Sequence, residues 1–334
     1  MPIKKIPFFI SSIIAIIILT CCNNKETIYD LTDFAIKDTA TIVKFRISNN
    51  EKNSITISRD FKHHKWMIED TKYEANTASV KLILETFHRV LVKQDVPKSA
   101  LNTVINRMSV RHKKVEIFNG KEKPFKTWYI GSPTQDHLGT YMLLQNGENK
   151  ISKPYITYKP GVYGSLDVRF FIDWKDWRSH KVFHYPNTRE IKNISVKFNE
   201  ENIFSYTIKR STDNIFLLYN NKNELVNNYD TIQVKHYFTH FNNINYNKIM
   251  FANSIYTDSI FNSIPQIEFD LEDENEIVTH VDFWRIKSLQ SETGWDKEYG
   301  YIRINKNKEL LRAQYFNWDI LFKSLSFFKR DIIK

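Results

Sequence analysis

Cysteine and glycine are scarce in this chain. Among its 334 residues the only cysteines are Cys21 and Cys22, which excludes a disulfide framework and a cysteine-based zinc site. With eight glycines, long glycine-rich phosphate loops have little material. No Gly-x-Gly-x-x-Gly, Walker loop or Gly-x-Ser-x-Gly elbow occurs. Gly161-Val162-Tyr163-Gly164-Ser165 comes nearest to an elbow, but its serine follows the second glycine. There is also no proline-rich linker or low-complexity run. What is present is 42% hydrophobic and 14% aromatic residues, which excludes a disordered or fibrous chain. The net charge is +10 and the pI near 9.2. At roughly 150 residues per domain, the length predicts two domains.

The N-terminus reads as an address. Lys4 and Lys5 precede a stretch from Ile6 to Leu19 that is apolar apart from Ser11 and Ser12. It falls short of the roughly 20 residues that cross a bilayer as a helix and fits the core of a secretory signal. Leu19-Thr20-Cys21-Cys22 and the polar Asn23-Asn24-Lys25-Glu26 resemble a bacterial lipoprotein signal, in which a cysteine after a short apolar box is acylated. Cys22 is favoured, with Leu19 three residues back and small Cys21 before it; Cys21, with Ile18 and Thr20 in those places, is the alternative register. An ordinary signal peptide or short anchor helix is the simpler reading. The expectation is a signal peptide over 1–21, a tether over 22–35, and membrane attachment through an N-terminal palmitate-type lipid, which several acyl chains make stable. Removing Lys4 and Lys5 with the signal leaves a mature charge of +8 and no free thiol, which suits an oxidising envelope compartment. The implied location is the outer membrane, on either its periplasmic or its surface face. An export signal speaks against nucleic acid as a partner.

Beyond the tether the chain repeats itself. Alternation over Ile42–Ile47, Ile55–Ser58 and Trp66–Ile68 predicts antiparallel strands. Val80, Ile83, Leu84, Phe87 and Val90 recur at helical spacing, with Asn76 or Thr77 as cap, and Pro97 opens a second helix. Strands return at Val115–Phe118, Trp128–Gly131, Tyr141–Leu144 and Tyr155–Tyr158. Leu166, Phe170, Trp174 and Trp177 then follow at spacings of four, four and three, which predicts one aromatic helical face. From Ile191 the same order recurs: strands at Ile191–Phe198, Phe204–Arg210 and Ile215–Leu217, a helix through Val234 and Phe238, strands at Ile267–Asp270, Phe283–Ile286 and Tyr301–Ile304, and a closing helix after Trp318. The period of about 150 residues is a whole domain. The predicted fold is α+β: two tandem, duplicated modules of antiparallel sheet with packed helices, over 36–185 and 186–334.

Several short segments of the first half carry a resemblance: Asp38-Thr39-Ala40, the Ile55–Arg59 strand with Trp66, Tyr129-Ile130-Gly131, Gly139-Thr140-Tyr141-Met142, Pro154-Tyr155, Pro160-Gly161, Arg169-Phe170 and Trp177-Arg178-Ser179. In these the chain resembles a domain-of-unknown-function family, number 4340, in its Bacteroidetes-type lipoprotein members. The resemblance covers roughly residues 36–210. It implies an envelope lipoprotein, and through some relatives an accessory part of an export or gliding-type machine. None of the segments is catalytic.

Other segments carry side chains with candidate chemistry. Six of the eight glycines lie between Gly120 and Gly164. Ser132, Thr134, Asp136, His137, Thr140 and Tyr141 lie between two strands and could bind a polar ligand or partner, although serine, proline, aspartate and glycine also build turns. His236 and His240 have metal-ligand spacing but lack an adjacent glutamate and a third ligand, so no metal is expected. Asp270, Glu272, Asp273, Glu274 and Glu276 read as a solvated turn, since a calcium loop needs a glycine. Asp173 and Asp176 beside Trp174 and Trp177 would suit a sugar-cleaving pair. The densest basic run is Arg107, Arg111, His112, Lys113, Lys114, Lys121, Lys123 and Lys126; it could meet anionic lipid headgroups or phosphate-bearing glycans, or simply keep the protein soluble. The leading expectation is a non-catalytic lipoprotein, not an enzyme and without cofactor, that binds or scaffolds an envelope protein. The alternative is a glycan- or polymer-binding module, with a hydrolase behind it. Buried tryptophans favour the first, and aromatics lining a groove the second.

Overall fold

The computed structural model describes residues 31–146, 150–212, 215–250 and 254–329. The expected signal peptide, Cys21, Cys22 and most of the expected tether lie outside the described residues. The chain forms two compact units that divide between Arg178 and Ser179.

In the first unit the sequence alternation becomes a sheet. Its strands are β1 (Lys44–Asn49), β2 (Ser54–Asp60), β3 (Lys65–Ile68), β4 (Leu91–Asp95), β5 (Lys113–Phe118), β6 (Lys126–Pro133), β7 (Thr140–Asn146), β8 (Lys150–Ile151) and β9 (Tyr155–Tyr158). The order is β3-β2-β1-β5-β6-β7-β9-β4, with β8 on β7, and every pairing is antiparallel. Phe45, Ile47, Ile57, Val115, Ile117 and Trp128 alternate onto one face and are fully buried. Helix α1 (Thr77–Arg89) covers that face with Val80, Ile83 and Phe87, and the Asn76 side chain caps it by accepting from the Ala78 and Ser79 amides. Helix α2 (Lys98–Val110) packs Val104 and Met108 against Tyr129, Tyr141 and Leu143 of the opposite face.

The second unit repeats this topology. Strands β10 (Lys181–Phe183) and β14 (Ile244–Asn245) form a small ribbon. The main sheet holds β11 (Ile191–Phe198), β12 (Tyr206–Thr212), β13 (Ile215–Asn220), β15 (Lys248–Ile249), β16 (Ile267–Asp273), β17 (Val278–Lys287), β18 (Trp295–Ile304) and β19 (Leu311–Gln314) in the order β13-β12-β11-β16-β17-β18-β19-β15. Helix α4 (Thr231–Thr239), numbered after the short α3 (Trp174–Trp177) of the first unit, packs its Val234, Tyr237 and Phe238 on the core face. Helix α5 (Ser254–Phe261) packs Ile260 and Phe261 against Trp284, Tyr301 and Leu310 on the other. Closures match too. The Asn76 amide donates to the Trp177 carbonyl at 2.6 Å, and the Asp230 amide donates to the Phe328 carbonyl at 2.8 Å. Each donor is the cap of its unit's core-facing helix.

The structure differs from the sequence expectations at several places. β10 pairs with β14, so Lys181–Phe183 belongs to the second unit and the division precedes the expected 185. The predicted aromatic helix does not form: a 3-10 turn at Asp167–Arg169 and the four-residue α3 replace it, since Asp173 caps the second turn through the Lys175 amide. The first helix ends at Arg89, just short of the expected Val90, and Leu91–Asp95 follows it as a strand pairing with β9. Within the stretch expected as a tether, Phe34 is buried in the first core. Helix α5, which the sequence reading did not contain, is the counterpart of α2.

Candidate functional site

Helix α5 covers one part of the outer face of the second sheet, and polar side chains occupy another. Strand pleating places them there. Ile194 and Val196 point into the core, so Asn193, Ser195 and Lys197 point out; the same parity turns Thr207 and Lys209, Glu268, Asp270 and Glu272, His280 and the buried Asp282, and Arg303 to the outer face. Antiparallel register lines these up in rungs. Lys197, Glu268, Asp282 and Arg303 form one, Thr207, Ser195, Asp270 and His280 the next, and Lys209, Asn193, Glu272 and Val278 a third.

Charge pairs join the rungs. His280 Nδ1 lies 2.6 Å from Asp270 Oδ1 and its Nε2 lies 3.0 Å from Asp282 Oδ1. Arg303 donates through Nε to Asp282 Oδ2 at 2.8 Å, and Nη2 lies 2.6 Å from the same oxygen. Hydrogen bonds to Asp270 and then Asp282 outweigh burial and push the His280 imidazolium up to about 9. Burial raises the Asp282 carboxyl, but hydrogen bonds from His280 and Arg303 outweigh it and hold the acid below its ordinary range. Glu272 is held low by the Lys192 ammonium at 2.9 Å and by the Asn193 amide, which donates at 2.5 Å. A depression of about 350 Å³ lies over the last two rungs, lined by Asn193, Ser195, Thr207, Lys209, Asp270 and Glu272 among others. It offers hydroxyls, an amide, an ammonium and carboxylates that already have cationic or amide partners. Such a surface suits recognition through hydrogen bonds.

The residues singled out in the sequence are placed otherwise. Ser132 is exposed near the end of β6. Thr134, Asp136 and His137 come together in a turn that closes on itself. Thr134 Oγ1 donates to Asp136 Oδ1 at 2.5 Å, the Leu138 amide donates to the same oxygen at 3.0 Å, and the His137 backbone has φ of 55°. The Thr134 hydroxyl and the Leu138 amide hold the Asp136 carboxyl below its usual range. Thr140 is buried, accepting from the Leu166 amide at 2.7 Å, and Tyr141 packs under α2. Trp177 is fully buried, its indole donating to the Phe171 carbonyl. Trp174 is half-buried and stacked on Tyr73, with centroids 5.3 Å apart, and the Arg178 guanidinium lies 3.8 Å from the centre of the Tyr73 ring. His236 and His240 touch through their rings, and no group of three or more metal-ligating side chains occurs among the described residues.

The acidic run is not simply a solvated turn. Asp270 and Glu272 belong to β16, while Asp273 accepts from the Asn275 and Ile277 amides to close the hairpin. The basic run is also divided: Lys113 donates to the Asp167 carbonyl, and Lys126 is buried. Sequence reasoning missed His280, Asp282 and Arg303. The available signal was two ionisable residues at alternate positions beside buried Val281 and Phe283. No protein family, curated protein or solved structure was found to match the chain.

Proposed function

We propose that this chain is a non-catalytic, lipid-anchored protein of the bacterial cell envelope that binds a protein partner through the outer face of its second sheet. One observation carries the reading: the rungs of this face leave the depression lined by groups suited to recognition, while its carboxylates are engaged by His280, Lys192 and Asn193. A carboxylate held low by a cation is a weak proton acceptor for catalysis. The tryptophans support protein binding over the glycan alternative, since Trp177 is buried and Trp174 lies against Tyr73. The accessory role in an export or gliding-type machine rests on the family resemblance alone.

A photo-crosslinking residue at Thr207 tests the reading in intact envelopes. The expected result is one adduct of defined mass, lost with Lys209→Glu and missing when the crosslinker replaces Tyr301 beneath α5. No adduct at Thr207, or one indifferent to Lys209→Glu, overturns it.

A further inference from the structure

We propose that one end of the first sheet, carrying the β2–β3 turn and the β5–β6 hairpin, faces an anionic lipid surface. The proposal rests on the lipid anchor at Cys22 and goes beyond it by assigning which part of the first unit meets the bilayer.

The entering chain chooses the end. Lys126 Nζ donates to the Asp33 carbonyl at 2.6 Å and the Ala35 carbonyl at 2.7 Å. Phe34 is 1% exposed, with the Trp128 and Tyr155 rings each 6.3 Å away. The chain is therefore fixed from Asp33 at the first residue of β6. The eleven residue steps from Cys22 reach at most about 40 Å. A strand as long as β6 spans about 27 Å. Placing the far end of the sheet on the bilayer would take most of that reach, stretched along the strands. The near end needs none of that extension.

Register defines the near end. Lys44 lies opposite both Ser58 and Phe118, and Lys126 lies opposite Ile117 on the adjoining rung. The β2–β3 turn and the β5–β6 hairpin both leave the sheet here. Between them, residues 59–65 and 119–125 carry Arg59, Lys62, Lys65, Lys121 and Lys123 against Asp60 and Glu122. Asp60 accepts from His63 at 2.6 Å. Phe61, at the start of the turn, is 58% exposed, with the Arg59 guanidinium 5.4 Å from its ring centre. An exposed aromatic ring beside a guanidinium, with Lys62 and Lys65 in the same turn, suits the headgroup boundary of an anionic membrane. The far end also holds exposed Arg107, Arg111 and Val110, so charge alone does not choose; the docked N-terminal segment does.

The test couples Cys22, the single thiol of the chain 22–334, to a maleimide lipid. The vesicles contain phosphatidylglycerol and phosphatidylethanolamine and carry a headgroup quencher. A fluorescent amino acid is placed at Phe61, at Lys121, or at Gln135 in the hairpin at the far end. Quenching is expected to be several-fold stronger at Phe61 and Lys121 than at Gln135. It should fall toward the Gln135 level in phosphatidylcholine vesicles and in a chain carrying Lys62→Glu and Lys123→Glu. Equal or stronger quenching at Gln135 overturns the proposal, as does quenching indifferent to both lipid charge and the lysine changes. Chemical coupling supplies the anchor, so the vesicle result stands apart from acylation in cells. Palmitate labelling that is absent in cells, or that survives Cys22→Ser, overturns the anchor at Cys22 instead.

Discussion

Trp177 and Trp174 lie three residues apart, yet burial gives them different weights. Trp177 is packed against Phe45 and Phe171 with its indole nitrogen bonded. Trp177→Ala should destabilise the first unit by about 3–5 kcal/mol, read from urea unfolding. Trp174→Ala removes mainly a stacked, half-exposed contact and should cost about 1–2 kcal/mol. Equal losses would contradict this assignment. His280 supplies a pH prediction. Its folded affinity for the proton is raised, so its stabilising effect is complete below its ordinary value near 6.5 and is lost as pH rises through about 9. The imidazole should titrate near 9 by NMR, and Asp270→Asn should move the midpoint down. An unmoved midpoint in that variant would remove Asp270 as the main cause.

Elements show how single residues hold larger pieces. The segment ahead of β1 is docked by Phe34 and by the Lys126 ammonium on the Asp33 and Ala35 carbonyls. Lys126→Met leaves these part-buried carbonyls without their donor, at a cost of about 1 kcal/mol. The amide of Ile36, bonded to the Phe87 carbonyl at 2.8 Å, should then exchange faster with deuterium while amides of β1 stay protected. The Thr134–Gly139 turn is constrained on its inner side. A Cβ at Gly139 would come within 2.6 Å of the Ile156 side chain and 3.3 Å of the Thr157 carbonyl. Gly139→Ala should cost about 1–3 kcal/mol through overpacking, measured as a lower denaturation midpoint.

Across the whole molecule, both sheets run through the same strand order, each with one helix on the core face and another on the outer face. Each unit has its own core and its own backbone closure between helix cap and C-terminal segment. Residues 31–178 and 179–334 expressed separately should each unfold cooperatively with retained near-ultraviolet circular dichroism. A half that stays molten would show that its core depends on the other.

The sequence determined the two-module α+β plan, because period-two alternation commits a strand to one buried face and the whole series of alternations occurs twice. It also narrowed the cap of the first helix to Asn76 or Thr77 and grouped the half-buried Trp174 with Leu166, Phe170 and Trp177. Tertiary structure alone decided that these last three do not share a helix, since helical spacing is also met by residues of separate turns converging on one core. Phe34 could not be read as core from a polar leader, because its binding site is assembled from β6, β9 and a lysine some ninety positions later. The outer-face rungs were hidden for the same reason. His280, Asp270, Asp282 and Arg303 lie on three strands, and only antiparallel register brings their charges within hydrogen-bonding distance.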